Sequence, residues 1–488
     1  MDPQLLMDKG DRLAYEVVVL INRASGSPIS TDQIMQELNI SAYKLNAARS
    51  AISNDLSTIT DGQAHIEEPE HNLWQAHGLS NLSIEQIKLI YIQRSALFTA
   101  FEYSMFYDNL MTPNQYLQET FVSRAAFYRN LKSIKPIINQ HFSKKRSDSS
   151  DDEFQNRLTL FQLYYNIYNG LDVPFANLNE LVEQIIVACT PYLAHPLRLS
   201  QRFKLSTFLR VWIMRHRNQH YNQTMTVSIS SSNTEYQDLF NQLTKVLGKK
   251  FQLDKFEMSY LYGFLLAKQY IKNTSIHELS TNFPLATAIS TDLIEWLKAY
   301  QIMDEFNTTV EKKLTQDLID VNLQLTSFYI EPTTFVRENS INFFGKTYPS
   351  FDIIIQRFIG QLEARHHFQI NDVNRINMYY GYMFALINNI PANVLKERVY
   401  IAVDFSQGDL YTQYVINSLD AFHHANIIIE TEITSKTDIY ISDVYSREIN
   451  LKQLTWEDPP TPADWANLGA MIEQIRSKKA FALFNTTR

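Results

Sequence analysis

Along most of this chain apolar side chains recur at three- and four-residue steps, the spacing of amphipathic helices, and strand-like runs are confined to a short early stretch and the C-terminal end. The pattern predicts a mostly α, multidomain protein. Its first clear unit runs from Ile29 to Ile59. Ser30 suits a helix N-cap, Ile34 and Leu38 mark a short helix, Asn39-Ile40-Ser41 a turn, and Leu45, Ala48, Ile52 and Leu56 the buried stripe of a second helix. After the turn signal Asp61-Gly62, the segment GQAHIEEPEHNLWQAH predicts a two-stranded wing.

The same order returns between Thr112 and Arg146. Thr112 is a good N-cap, and Pro113 suits the first helical position, where a missing N–H costs nothing. A short helix to about Thr120 gives way to a turn through Phe121 and Val122 and a longer helix opening at Ser123. Val122, Phe127, Leu131, Ile134 and Ile138 fall on its core side. The recurrence predicts two tandem winged helix-turn-helix modules, a layout that reads duplex DNA. Ser143 to Glu153, polar and switching from basic to acidic, is expected to be a loop or wing tip.

The outward faces of the two longer helices supply the candidate DNA-binding residues. In the first module these are Tyr43, Lys44, Asn46 and Arg49; in the second, Ser123, Arg124, Tyr128, Arg129, Lys132 and Lys135. Arg and Lys reach guanine edges or phosphate, and Asn pairs with adenine. Between Arg124 and Arg146 there are seven Lys or Arg and no Asp or Glu, in a chain of net charge −8. Such a basic stripe matches phosphate on either side of a groove. Lys144, Lys145 and Arg146 are expected to add sequence-independent attraction. A solvated helix face is the bland reading of a charge run, and the repeated order of elements weighs against it.

Helical patterning continues from the stretch FQNRLTLFQLYYNIYNGLDVPF to Ile390, broken at Thr190-Pro191, His195-Pro196, Lys249, Phe283-Pro284, Glu331-Pro332, Tyr348-Pro349 and Ile390-Pro391. It divides into two bundles near Pro284. Beyond Pro391, the strands in ERVYIAVDF, NIIIETEI and DIYISDV alternate with the helices GDLYTQYVINSLDAF and PADWANLGAMIEQIRSKKA, which predicts a small α/β domain with a mainly parallel sheet. The loop Asp404 to Asp409 follows the first strand, where such folds bind anions. One glycine and two carboxylates make it a poor phosphate cradle.

Only 12 glycines in 488 residues favour long helices over turn-rich β architecture. The single cysteine, Cys189, excludes an internal disulfide and a cysteine zinc site. MDPQLLMDKGDR has no apolar core of a signal peptide, and no run reaches bilayer length, so a cytoplasmic protein without a membrane partner is expected. Adjacent His423 and His424 diverge on a helix, so no metal is expected. No cofactor is expected either, and with no nucleophile beside a base the chain does not read as an enzyme.

These residues resemble the Mga/AtxA-like global regulators of Gram-positive bacteria over essentially the whole chain. The sharpest matches are Val122-Ser123-Arg124 with Phe127, Arg129 and Leu131, and Asp152-Glu153 with Arg157 and Pro174-Phe175. The resemblance implies winged helix-turn-helix modules at 1–79 and 80–153, phosphotransferase-system (PTS) regulatory domains at 154–283 and 284–392, and an enzyme IIB-like α/β domain at 393–488. It implies a DNA-binding transcriptional regulator, often of virulence genes and here an activator, that works as a homodimer or higher oligomer through its C-terminal domain and bundles. PTS phosphocarrier proteins are implied partners, acting by histidine phosphorylation.

Two positions depart from that family. Laid on the regulatory-domain histidine motifs, LSTFLRVWIMR places Phe208 and FEMSYLYGFLL places Phe264 where histidine is expected. That leaves His195, His216, His220, His366 and His367 as the possible phosphorylation sites. The tail also lacks the cysteine through which enzyme IIB domains pass phosphate. A PTS-regulated RNA-binding antiterminator and a phosphocarrier component are the alternative functions.

Overall fold

The computed structural model describes every residue except 25, 121, 143–151, 229–232, 272–275, 304–305, 329–340, 367–369, 420–425, 457–458 and 487–488, and leaves out the side chains of 152, 250, 341–342 and 486. The chain is mostly helical with a small parallel sheet. It forms two compact units, 1–266 with 270–273 and 267–269 with 274–488.

In the first unit, α1 (Lys9–Arg23) buries Ala14, Val17, Val18 and Ile21. Strand β1 (Ile29–Ser30) runs into α2 (Thr31–Leu38), whose start is capped by Ser30 Oγ accepting from the Gln33 amide at 3.1 Å. Asn39 ends that helix in the left-handed region at φ 51°, a conformation Asn tolerates better than most residues. Helix α3 (Ala42–Ile59) then buries Leu45, Ala48, Ile52 and Leu56, the four residues its spacing predicts. Strands β2 (His65–Glu67) and β3 (Leu73–His77) form the antiparallel wing, with Ile66 and Trp74 turned inward. Strand β3 also pairs with β1, giving the order β1-β3-β2.

Helices α4 (Asn81–Gln93) and α5 (Ala96–Phe106) lead to α6 (Pro113–Gln118) and α7 (Arg124–His141). Arg94, at the end of α4, reaches Asp11 of α1 at 2.6 Å and Asp55 of α3 at 3.2 Å, so one guanidinium ties three helices. Among the described residues between 80 and 153 no strand follows α7. Most of the expected wing tip lies outside the described residues. Asp152 and Glu153, expected in that loop, instead open α8 (Asp152–Tyr168).

Helices α9 (Asn179–Cys189), α10 (Leu199–Arg217), α11 (Thr234–Phe251) and α12 (Lys255–Ala267) complete the unit, with α11 broken at Gly248. Arg157 of α8 is fully buried and places its two terminal nitrogens 2.7 and 2.8 Å from the Glu257 carboxylate of α12. Trp212 Nε1 and the Asn222 amide donate to the same carboxylate at 2.7 and 2.9 Å. Glu153 accepts from Arg157 at 3.0 Å and from Arg215 at 2.6 Å. Burying charge is costly unless every partner is present, and here each carboxylate meets a guanidinium.

The second unit holds α13 (Ile276–Asn282), α14 (Pro284–Ala299), α15 (Thr308–Thr326), α16 (Ile341–Thr347), α17 (Pro349–His366) and α18 (Asp372–Asn389). Their core includes Leu293, Leu318, Phe351, Phe358 and Tyr382. The compact units part ahead of α13, which belongs with the second. Next come β4 (Val399–Val403), α19 (Asp409–Leu419), β5 (Ile427–Glu430), β6 (Ile439–Ser442), β7 (Lys452–Thr455) and α20 (Pro462–Thr486). The sheet is wholly parallel in the order β5-β4-β6-β7, and β7 is a strand that the apolar pattern does not predict. No described helix is long and apolar enough to cross a membrane.

Candidate nucleic-acid interface

Helix α7 is set in place from behind. Ser123 caps it by accepting from the Ala126 amide at 3.3 Å, and Thr112 and Gln115 close a capping box on α6. Phe127 is fully buried and meets Tyr103 of α5 edge-on at 5.4 Å and Tyr116 of α6 at 6.2 Å. Tyr103 also donates its hydroxyl to the Met111 carbonyl at 3.1 Å, which fastens the loop ahead of α6. Burial of Phe127 stabilises this packing by roughly 1.5–3 kcal/mol. Ile134 is buried too, whereas Val122, Leu131 and Ile138 are only partly covered.

The opposite face carries Ser123, Arg124, Tyr128, Arg129, Lys132 and Lys135, all exposed. Arg124 lies over the Tyr128 ring at 5.8 Å. Among the described residues, no ion pair engages Arg124, Arg129, Lys132 or Lys135. Four cations free of carboxylates on one rigid helix face can meet phosphate without first breaking an internal pair. Lys144, Lys145 and Arg146 lie outside the described residues.

The corresponding face of α3 differs in one respect. Tyr43, Lys44 and Asn46 are exposed, with Tyr43 at 84%. Arg49 is held: its Nη1 lies 2.7 Å from Glu68 of the wing, and its guanidinium covers the Trp74 ring at 5.1 Å. Glu68 also accepts from the Asn72 amide at 3.0 Å, and that bond and Arg49 keep its carboxyl below the ordinary range. Arg49 therefore positions the wing on α3, and groove contact from this helix rests with Tyr43, Lys44 and Asn46.

The residues that carry the family resemblance at the join are framework residues. Glu153 and Arg157 belong to the buried ion network. The Pro174 and Phe175 carbonyls accept from Arg210 Nη1 at 3.1 and 2.9 Å. Arg210 is nearly buried with neutral partners, and burial lowers its pKa.

Phe208 and Phe264 come together in one stack. Their ring centroids are 3.8 Å apart and the planes differ by 14°, with Phe161 edge-on to both at 5.6 Å. Of the candidate histidines, His195 is exposed. His216 is buried and stacked on Phe251 at 3.7 Å, and burial lowers its pKa. Burial and then the Arg215 charge lower that of His220 as well. His366 Nε2 lies 2.8 Å from Asp292. His367, His423 and His424 lie outside the described residues. Of the four described candidates, only His195 has the open surface that a phosphocarrier would need.

Compared with known proteins, the chain matches no family model, and no curated protein matches it.

In the tail, the Asp404–Asp409 loop is closed by its neighbour rather than open to an anion. The Ser406 amide donates to Asp443 at 2.9 Å and its hydroxyl bonds the other oxygen of the same carboxylate. A carboxylate occupying those donors repels phosphate. Cys189 is buried, and burial pushes its thiol up to about 12, which leaves it unreactive.

Proposed function

We propose that this protein is a transcriptional regulator that binds duplex DNA through the exposed face of α7, with α3 as a second reading helix. The observation that carries the reading is the acid-free row Arg124, Tyr128, Arg129, Lys132 and Lys135 on a helix that follows a short capped helix. Arg129 and Lys132 sit mid-face, where side chains reach groove edges and phosphates together. Lys44 and Asn46 supply the same chemistry on α3. The repeated arrangement gives each chain two heads, and a dimer four, which favours long sites over one short palindrome.

In this reading the chain resembles the Mga/AtxA-like activators in its order of parts, and self-association would run through the bundles and the α/β domain. Its regulation differs from theirs at Phe208 and Phe264, where no phosphate can be taken up. Binding of the full chain to a DNA duplex and an RNA hairpin at one salt concentration tests the proposal. Preference for duplex supports it, and preference for the hairpin replaces it with the antiterminator function.

A further inference from the structure

The end of α10 grips the loop that leads into α6. Asn218 closes α10 and is fully buried, its backbone amide donating to the Met214 carbonyl at 2.9 Å. It meets Asn109 reciprocally: its side-chain oxygen accepts from the Asn109 backbone amide at 2.9 Å, and the Asn109 side-chain nitrogen donates to its carbonyl at 3.0 Å. The Asn218 side-chain nitrogen donates to Asp108 Oδ1 at 2.8 Å and to the Met105 carbonyl at 3.3 Å. Arg215 Nη1 donates to that same carbonyl at 2.6 Å. A buried amide engaged through both its donor and its acceptor has one arrangement, since turning it strands polar atoms.

The gripped residues support the helix pair α6–α7. Met105 and Phe106 end α5, on which α7 packs through Tyr103 and Phe127, and Tyr107 meets the Tyr116 ring of α6 at 5.0 Å. Beyond Asn218, the segment 218–222 is seated in the buried ion network. There the His220 carbonyl accepts from Arg157 Nη2 at 2.6 Å, and the Asn222 amide donates to Glu257 at 2.9 Å. Five residues thus touch both the charged core of the first bundle and the support of the reading helix.

We propose that Asn218 is a positioning residue for DNA binding, the latch through which the bundle of α8 to α12 holds α6 and α7 in the pose that meets the duplex. This role rests on the DNA reading of α7 and adds how the bundle acts on it, by direct contact. Held in one pose, α7 meets phosphate and base edges without first being ordered. Released, it must be ordered on binding, so apparent affinity falls with the fraction held while the contacts in the complex stay the same.

The test is salt-titrated binding of the full chain to a fluorescent duplex of about 40 base pairs, for wild type, Asn218→Ala and Asn109→Ala. All three are measured at a temperature where circular dichroism shows them folded. Affinity is expected to be weaker by about fivefold or more in Asn218→Ala, the factor carried by one net hydrogen bond, and weaker in Asn109→Ala, with the wild-type salt slope kept in both. The kept slope separates a positioning residue from a phosphate contact. Weaker binding by a folded variant separates it from a residue that only stabilises the fold. Wild-type affinity in both folded variants overturns the latch and leaves the DNA reading standing, as does a loss of affinity with a flatter slope. Wild-type protein that binds no duplex overturns the DNA reading and the latch with it. Asn109 is exposed, so its variant keeps the fold and decides alone where Asn218→Ala does not fold: wild-type affinity overturns the proposal, and weaker binding at an unchanged slope supports it.

Discussion

Arg49 Nη1 lies 2.7 Å from Glu68 Oε2, so the wing of the first module is fastened to the helix it flanks through a residue that looks, in sequence, like a base reader. Its guanidinium also rests on Trp74. Arg49→Ala is therefore expected to lower the unfolding temperature, and Glu68→Gln to lower it in the same direction. A thermal melt of both variants and their double mutant checks this. The two effects are expected to be non-additive, because each change breaks the same contact.

Phe208 and Phe264 are packed to serve the core. Phe208→Ala is expected to cost about 3–5 kcal/mol in urea unfolding, the range for emptying a buried aromatic site. Phe208→His is expected to destabilise as well, because its ring nitrogens would enter an apolar stack without partners. Incubation of that variant with a phosphocarrier is expected to give no label at residue 208.

Removing Arg157 strands the Glu257 carboxylate, and Arg157→Ala is expected to cost about 3–5 kcal/mol. The same pair sets an acid response. Burial raises the Glu257 pKa, but the Arg157 charge and the hydrogen bonds from Arg157, Asn222 and Trp212 outweigh it and hold the carboxyl below 4.5. Its stabilisation is complete above that ordinary value and is lost as pH falls through the lower folded value. Urea midpoints measured downward from pH 5 are expected to fall less steeply in Glu257→Gln than in the wild type.

Glu102 of α5 works in the opposite direction. It accepts from Tyr164 at 2.8 Å, yet burial pushes its carboxyl up to about 7. The folded state then binds this proton more tightly than the unfolded state, so stability is full below pH 4.5 and is lost as pH rises through 7. The loss is on the order of 3 kcal/mol. Glu102→Gln keeps an acceptor for Tyr164 and is expected to flatten the urea midpoint between pH 5 and 8.

Local periodicity made much of this molecule legible in its sequence. Leu45, Ala48, Ile52 and Leu56 are buried because three- and four-residue spacing places them on one side of α3, and Ser30 and Thr112 cap because short oxygen side chains reach the first free amides. Strand β7 escaped because Lys452–Thr455 is polar and only partly buried at a sheet edge. The contacts that define the site's limits escaped for another reason. Arg157 and Glu257 are 100 residues apart, Arg49 and Glu68 are 19, and Phe208 meets Phe264 across two helices, so no window of sequence shows them as partners. Charge patterning exposed the α7 face because its cations have no carboxylate within the helix, whereas Arg49 looked equally free until the wing folded back on it.

Binding of the full chain to a fluorescent duplex of about 40 base pairs, titrated with salt and repeated with Arg129→Ala and Lys132→Ala, decides whether the α7 face reads DNA. Steep salt dependence is expected in the wild type, with a salt slope shallower by about one unit for each phosphate contact removed and a loss of roughly 1–3 kcal/mol where a base contact goes. No binding of the wild type at low salt, or variants with unchanged affinity and slope, would contradict it.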